Sequence, residues 1–220
     1  MKKIKLEKFS EKTLEIYGRF KEQLGSEHIA TPITIEILLD ICRNQKPVSI
    51  LELGGGLGTI SYLLLSNSNA QLDIYEDNDF CQRKLKENLA TFAGRYQIIE
   101  SYRTLPPNSS YDLVVVDGGS GKPGDGGYKN AVSCIMACLD SVKTIFVEGY
   151  RYHQCYLIRK AVAVNHLFKL SLYLPSQFKG QVIKGGSKIE CKLSHKKLFK
   201  FINHIYWELI ARHHIKNLTN

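Results

Sequence analysis

The residues best suited to chemistry surround a glycine-rich turn that follows the first strongly apolar run of the chain, Val48–Leu53. The acidic member of this run and the glycines after it are Glu52, Gly54, Gly55, Gly56 and Gly58. Glycines let the backbone turn sharply and approach a ligand closely at the start of a helix. A dinucleotide-binding G-x-G-x-x-G fingerprint needs its third small residue at position 59, which is a threonine here. The pattern predicts a ligand site, and the carboxylate disfavours a pyrophosphate as its ligand.

Three more acidic positions end later apolar runs. Glu76 follows the second run, Asp117 the fourth and Glu148 the fifth. A carboxylate at position 76 can accept hydrogen bonds from both hydroxyls of a ribose, and Asp77 is either part of that site or a solvated, helix-capping acid. Asp117 and Glu148 end neighbouring strands, which predicts that both face one cleft. His153 is interpreted either as a base at that cleft or as a histidine on a helix surface.

The spacing Glu52-x-Gly54-x-Gly56-x-Gly58 resembles the first motif of the class I (Rossmann-like) S-adenosylmethionine-dependent methyltransferases. In that family the loop contacts the methionine end of the cofactor and the acid helps to hold its ammonium group. The segment Tyr111–Asp117 resembles the family's fourth strand, whose terminal acid lies near the methyl-transfer centre. Ala30-Thr31-Pro32 resembles the segment that precedes the first strand in small-molecule O-methyltransferases. The resemblance covers roughly residues 28–195 and implies S-adenosylmethionine as the cofactor.

The resemblance also implies a set of cofactor-binding residues. Family members often have an Asp near the adenine after the third strand, and Ser101 stands at that place here. The implied cofactor-binding residues are Glu52, Gly54, Gly55, Gly56, Gly58, Glu76, Asp77, Ser101 and Asp117.

Methyl transfer from a sulfonium is a direct displacement, so an enzyme mainly positions the nucleophile and removes its proton. Asp117, Glu148 and His153 are the candidate catalytic residues. Catechol-type O-methyltransferases bind Mg²⁺ partly through an Asp-Asn pair after the fifth strand, where this chain has Glu148-Gly149, so we predict no metal. The glycine-dense loop 118–127 is either a lid over the substrate or a surface connection.

The elements that position these residues alternate between strand and helix. Apolar runs separated by helices predict an α/β fold with a doubly wound, mostly parallel seven-stranded sheet, an antiparallel last strand and helices on both faces. The antiparallel pair, Phe168–Leu174 and Lys188–Leu193, is placed at the edge of the sheet because its connection is too short for a crossover helix. Thr31-Pro32 is typical of a helix start. We divide the chain into an N-terminal helical segment (1–46), a methyltransferase domain (47–195) and a basic amphipathic C-terminal helix (196–220).

Charge and cysteine usage bear on partners and location. Of the formal net charge of +9, residues 151–220 carry +11 and residues 1–150 carry −2. This asymmetry favours an anionic partner such as nucleic acid, a membrane surface or an acidic small molecule. The six cysteines form no C-x-x-C pair, and the N-terminus lacks the apolar stretch of a signal peptide. A reduced, cytoplasmic protein is the simplest interpretation.

The last 25 residues contain one apolar stripe at helical spacing, with basic residues mostly off it. The stripe consists of Leu198, Phe199, Ile202, Ile205, Tyr206, Leu209 and Ile210. It indicates either a helix packed on its own domain or on a second copy in a homodimer, or a basic helix that contacts an anionic membrane or nucleic acid.

The sequence therefore predicts methyl transfer to an oxygen, or less readily a nitrogen, of a small-molecule or glycan-like acceptor. The alternatives are an RNA- or membrane-associated methyltransferase, an aminopropyltransferase-like enzyme and an inactive protein of the same fold.

Overall fold

Strands and helices alternate along most of the chain, as a computed structural model shows for residues 1–118, 128–149, 151–193, 198, 201–206 and 208–209. The strands are β1 (Lys2–Ile4), β2 (Ser49–Leu53), β3 (Gln71–Tyr75), β4 (Tyr96–Ile99), β5 (Leu113–Val116), β6 (Thr144–Glu148), β7 (His166–Tyr173), β8 (Ser176–Phe178), β9 (Gln181–Ile183) and β10 (Gly186–Leu193). The helices are α1 (Glu11–Lys21), α2 (Pro32–Gln45), α3 (Thr59–Ser66), α4 (Asp79–Asn88), α5 (Tyr128–Cys138) and α6 (Tyr152–Asn165).

The main sheet has the strand order β1-β7-β10-β6-β5-β2-β3-β4. Strands β2 to β6 run parallel to one another, and β10 is antiparallel to both of its neighbours, β6 and β7. The predicted doubly wound, mostly parallel sheet with an antiparallel last strand is thus confirmed. In parallel strands the carboxyl ends meet at one edge, so the ends of β3, β2, β5 and β6 lie side by side there.

Two details of the sheet differ from the prediction. Within the described part of the chain the sheet has eight strands rather than seven, because Lys2–Ile4 pairs in parallel with β7. The antiparallel pair does not lie wholly at the edge, since β10 inserts between β6 and β7. The connection within that pair also forms a separate two-stranded hairpin of β8 and β9.

The helices cover both faces of the sheet, as predicted. Along β5, Leu113 and Val115 pack in the cluster that contains buried residues of α1 to α4, whereas Val114 and Val116 pack in the cluster formed with α5 and α6. This alternation follows from the two-residue period of a strand.

All six cysteines are free thiols. Within the described ranges, no helix is both long and apolar enough to cross a lipid bilayer.

Helix α2 begins as the sequence predicts. Thr31 is its N-cap and accepts a hydrogen bond from the amide of Thr34, while Pro32 occupies the first helical turn. Glu36 of this helix accepts hydrogen bonds from the hydroxyls of Ser10 and Thr13 at the start of α1. These contacts hold the N-terminal helices together beside the carboxyl ends of the strands.

A buried acid in the middle of β3 is held by two side-chain donors. The Tyr111 hydroxyl and the Asn108 amide both donate to Asp73 Oδ2, at 2.6 Å and 2.7 Å. Asp73 and Tyr111 are both buried. A buried acceptor that loses a donor bears the cost of desolvation without compensation.

We therefore expect Tyr111→Phe to lower the free energy of unfolding by about 1–3 kcal/mol, because it removes one donor from the buried carboxylate of Asp73. Urea denaturation measures the change. The matched control is Tyr96→Phe, since the structure shows no hydrogen bond from the Tyr96 hydroxyl to any described residue. Equal effects of the two substitutions would contradict the prediction.

Candidate functional site

The glycine turn lies in close contact with the end of β5. Leu53 O accepts hydrogen bonds from the amides of Asp117 at 2.8 Å and Gly118 at 2.6 Å. Gly54 has a φ of +102°, and a Cβ there would lie 2.3 Å from the amide nitrogen of Gly118. Its amide and that of Gly55 both donate to Tyr75 O at the end of β3. Glycine is required at position 54 because any side chain would push β2 and β5 apart.

Glu52 is fully buried beneath this turn. Its Oε2 accepts a hydrogen bond of 2.6 Å from the Ser61 hydroxyl on α3, and no described residue donates to its Oε1. Burial raises the pKa of Glu52 well above its usual value, the Ser61 hydrogen bond lowers it, and the nearby charges of Asp117 and Glu76 raise it further. Its carboxyl is therefore protonated over a wider pH range than an exposed one, and it has an unused oxygen for a ligand donor.

Glu76 connects the end of β3 to the glycine turn. Its Oε2 accepts from the amide of Gly56 at 2.7 Å, and its Oε1 accepts from the amide of Asn78 at 2.9 Å. Asn78, rather than an aspartate, is the N-cap of α4. Asp77 is exposed. The structure thus brings Glu76 into the site and leaves Asp77 at its outer rim.

Ser101 lies in a turn after β4. Its hydroxyl accepts from the amide of Arg103 at 3.2 Å, and its carbonyl accepts from the amide of Thr104 at 3.0 Å. Its role toward an adenine stays a prediction. These bonds give it a local structural function in the turn.

The next residue, Tyr102, reaches over the strand ends. Its ring stacks on the ring of Tyr75 at a centroid distance of 5.2 Å. Its hydroxyl oxygen lies 2.5 Å from where a Cβ on Gly118 would stand. Burial raises the pKa of Tyr102, and the carboxylates of Glu76, Asp77, Glu52 and Asp117 raise it further. The sequence did not indicate a role for this residue, which lies three positions after the end of β4, in the connection to β5.

Asp117 and Glu148 come together at the ends of β5 and β6. The Arg151 guanidinium binds Asp117, with 3.3 Å between Nη2 and Oδ1, and the Thr34 hydroxyl donates to Glu148 Oε1 at 3.4 Å. Burial raises the pKa of both carboxyls; the charge of Glu148 further raises that of Asp117, and Arg151 lowers both. The two carboxyls therefore hold a proton more strongly than exposed carboxyls do, and they titrate as a pair.

Arg151 was not found by sequence analysis. It lies between β6 and α6, and besides the Asp117 carboxylate it binds the backbone oxygens of Asp117 and Gly118. No spacing pattern in the sequence predicts such a contact. The side chain of His153 and residues 119–127 of the glycine-dense loop lie outside the described residues.

The donor set does not fit the Mg²⁺ site of catechol-type O-methyltransferases. Gly149 offers no side-chain ligand, and the cation beside Asp117 is the Arg151 guanidinium. Among the residues that the structure describes, no three His, Cys, Asp or Glu side chains converge as metal ligands would. Hard oxygen ligands are needed in larger number than two carboxylates supply.

A cavity of about 120 Å³ lies beside the glycine turn and reaches the segment before α2. The buried hydroxyl of Thr59 lines it and makes no hydrogen bond to a described residue. Ligand pockets commonly measure ~300–1,000 Å³, so this cavity suits one end of a nucleoside-sized ligand. Its lining includes Gly25, His28, Ala30, Gly56, Thr59 and Asp117.

No protein-family model matches the chain, and no curated protein matches it either. Many solved structures do resemble it. An O-methyltransferase candidate from Klebsiella pneumoniae is 14% identical, with a TM-score of 0.59 over 82% of this chain and 88% of that chain. The O-methyltransferase TomG from Streptomyces achromogenes, in complex with S-adenosylmethionine, is 14% identical, with a TM-score of 0.58 over 86% and 92%.

A candidate RNA methyltransferase from Pyrococcus horikoshii is 12% identical and has a TM-score of 0.57 over 84% of this chain and 100% of that chain. These identities are low, so the likeness establishes the fold and not the activity. The chain has the Rossmann-like fold of class I methyltransferases, as the glycine motif predicted.

The raised pKa of Glu52 predicts a particular dependence of stability on pH. Above about pH 4.5 the unfolded chain releases this proton while the folded protein keeps it, so unfolding becomes more favourable as the pH rises. In Glu52→Gln this proton is absent. We expect the unfolding free energy of the wild type to fall relative to that of Glu52→Gln by about 1.4 kcal/mol per pH unit. The fall ends where the pH reaches the raised pKa of Glu52.

Denaturant titrations between pH 5 and 8 measure this difference. The exposed Glu22→Gln is the control and keeps the wild-type dependence. Parallel curves for Glu52→Gln and the wild type would show that Glu52 ionises in the folded protein as it does in the unfolded chain.

Proposed function

We propose that this protein is a methyltransferase that transfers the methyl group of S-adenosylmethionine to an oxygen of a small-molecule or glycan-like acceptor. One observation carries the proposal. Four neighbouring strand ends, those of β3, β2, β5 and β6, present carboxyl groups around a glycine turn that faces a helix N-terminus. The carboxyl groups belong to Glu76, Glu52, Asp117 and Glu148.

The charge of this edge favours a cationic cofactor. The turn from Gly54 to Gly58 contains no lysine or arginine, and the Arg151 guanidinium is bound to Asp117. A pyrophosphate would meet buried carboxyls without a basic partner in the turn, which opposes nicotinamide or flavin dinucleotides. S-adenosylmethionine carries an ammonium and a sulfonium, both of which interact favourably with carboxylates.

The residues at the glycine turn fit such a cofactor. Glu52 Oε1 has no described donor and suits the cofactor's ammonium group. The cavity beside the turn suits the methionine end, and Glu76 has lone pairs left for ribose hydroxyls after binding two backbone amides. Asp77 and Ser101 complete the proposed cofactor contacts at the outer side.

The coupled carboxyls at the other side of the cleft suit proton removal. Burial raises the pKa of Asp117 and of Glu148, which makes each a stronger base than an exposed carboxylate and suits it to accept the proton of an acceptor hydroxyl. Arg151 fixes the orientation of Asp117, and Thr34 fixes that of Glu148. When bound, S-adenosylmethionine supplies an electrophilic methyl group and a neutral sulfide leaving group. His153 is a third candidate base by its position at the start of α6.

Two further proposals concern the acceptor and the cellular compartment. They rest on the carboxyl groups of the cleft and on the free cysteines. A cleft with two carboxyls, in which the described residues form no fitting metal site, favours a single hydroxyl over a metal-chelating catechol as the acceptor, and a nitrogen acceptor is the second choice. Six free thiols suit a reducing compartment, and we propose the cytoplasm.

Calorimetric titration tests the cofactor assignment directly. We expect S-adenosylmethionine and S-adenosylhomocysteine to bind, and decarboxylated S-adenosylmethionine and NAD to bind at least tenfold more weakly. Preference for the decarboxylated cofactor would instead support an aminopropyltransferase. Binding of none of the four would overturn the proposal and leave a protein of this fold without the activity.

Gly54→Ala tests whether the close contact of β2 and β5 builds the cofactor site. The added Cβ would clash with backbone atoms of Gly118, so the turn has to shift. We expect at least a tenfold loss of S-adenosylmethionine affinity in the same titration. Gly94→Ala is the matched control, because Gly94 has a φ of +83° and open space around it. If both variants bind like the wild type, the turn does not contact the cofactor.

A further inference from the structure

The apolar stripe of the C-terminal segment faces solvent. Leu198, Phe201, Ile202, Ile205 and Leu209 follow one another at helical spacing, and residues 201–206 are helical. Each of these five side chains is between 41% and 68% exposed. Phe199 and Ile210 of the predicted stripe lie outside the described residues. The described members of the stripe do not pack on the protein's own domain, which was one of the arrangements that the sequence left open.

The polar side of the same helix is the less exposed one. Asn203, His204 and Glu208 are half-buried, and His204 Nδ1 is shielded from solvent. On α6, burial lowers the pKa of Arg159, and the charge of Glu208 opposes that shift. The polar residues of this helix are thus less exposed than its apolar ones, which is the reverse of an ordinary surface helix.

An exposed apolar stripe in a basic segment points to one kind of partner. Residues 196–216 contain a single acid, Glu208, and five basic residues. The basic residues are Lys196, Lys197, Lys200, Arg212 and Lys216. We propose that this helix docks on an anionic membrane surface, with the apolar stripe inserted at the boundary of headgroups and acyl chains. The basic residues of the segment would then interact with the anionic headgroups.

The same observations disfavour the two other partners. A second copy of the chain would bring two segments of like charge together, because residues 151–220 carry a net charge of +11. A nucleic acid offers phosphates to the lysines, but it leaves five exposed aliphatic and aromatic side chains without an apolar partner. An anionic bilayer satisfies both the charge and the stripe.

Flotation of the full-length protein with vesicles tests the proposal without any cofactor or acceptor, so its outcome does not depend on the proposed activity. The vesicles contain either phosphatidylcholine alone or phosphatidylcholine with about 30% phosphatidylglycerol, which supplies an anionic surface. We expect binding to the anionic vesicles that is at least tenfold stronger than to the neutral ones and that weakens with salt.

Leu198→Glu places a charge in the stripe, and we expect it to lower vesicle affinity about tenfold or more. Leu24→Glu is the matched control, since Leu24 is 77% exposed on another part of the surface and should leave vesicle binding unchanged. Leu209→Glu repeats the test at the other end of the described stripe. Equal effects of Leu198→Glu and Leu24→Glu would overturn the proposal.

Two further results would also overturn it. One is the absence of binding to anionic vesicles. The other is a dimer in analytical ultracentrifugation, or an RNA complex in a gel shift, that Leu198→Glu abolishes while vesicle binding persists.

Discussion

The backbone oxygen of Leu53 accepts hydrogen bonds from the amides of both Asp117 and Gly118, and the rest of the site depends on this junction. It holds the end of β5 against the end of β2 so closely that no side chain fits on Gly54. Arg151 continues the junction, because it binds the carbonyl and the carboxylate of Asp117 and so brings the start of α6 to the same place. Backbone contacts thus assemble the cleft, and the side chains that could do chemistry are positioned by them.

Gathering acids at one sheet edge opposes folding, and the structure shows how that cost is limited. Ser61 binds one oxygen of Glu52, two backbone amides bind Glu76, and Arg151 binds Asp117. The remaining cost appears as raised pKa values of Glu52, Asp117 and Glu148, each caused first by burial. A cation that binds there favours the ionised carboxyls and stabilises the folded state, which couples ligand binding to stability. A site that is unfavourable when empty and favourable with a cationic ligand is a typical functional compromise.

Most of the sheet was predictable because buried parallel strands are continuous apolar runs, and the acids that follow those runs necessarily meet at one edge. The strand Lys2–Ile4 was not predictable, since two of its three residues are exposed lysines and its pairing with β7 involves the backbone alone. The positions of Arg151 and Tyr102 were not predictable either. Both lie in connections between elements, where the path of the chain is decided by tertiary contacts and not by local residue pattern.

The orientation of the C-terminal helix was not predictable from periodicity alone. The stripe predicts a helix, which the structure shows for residues 201–206, but its spacing leaves open whether it packs on the domain, on a second copy or on an anionic surface. On α6, Arg159 is 4% exposed, and a buried guanidinium without a nearby negative charge is strongly destabilising. Glu208 is the one acid in residues 191–220, and its charge acts on Arg159. Asn203, His204 and Glu208 are half-buried while Leu198, Ile202 and Ile205 are exposed, so tertiary contacts, and not the spacing of the apolar residues, determine how this helix is oriented.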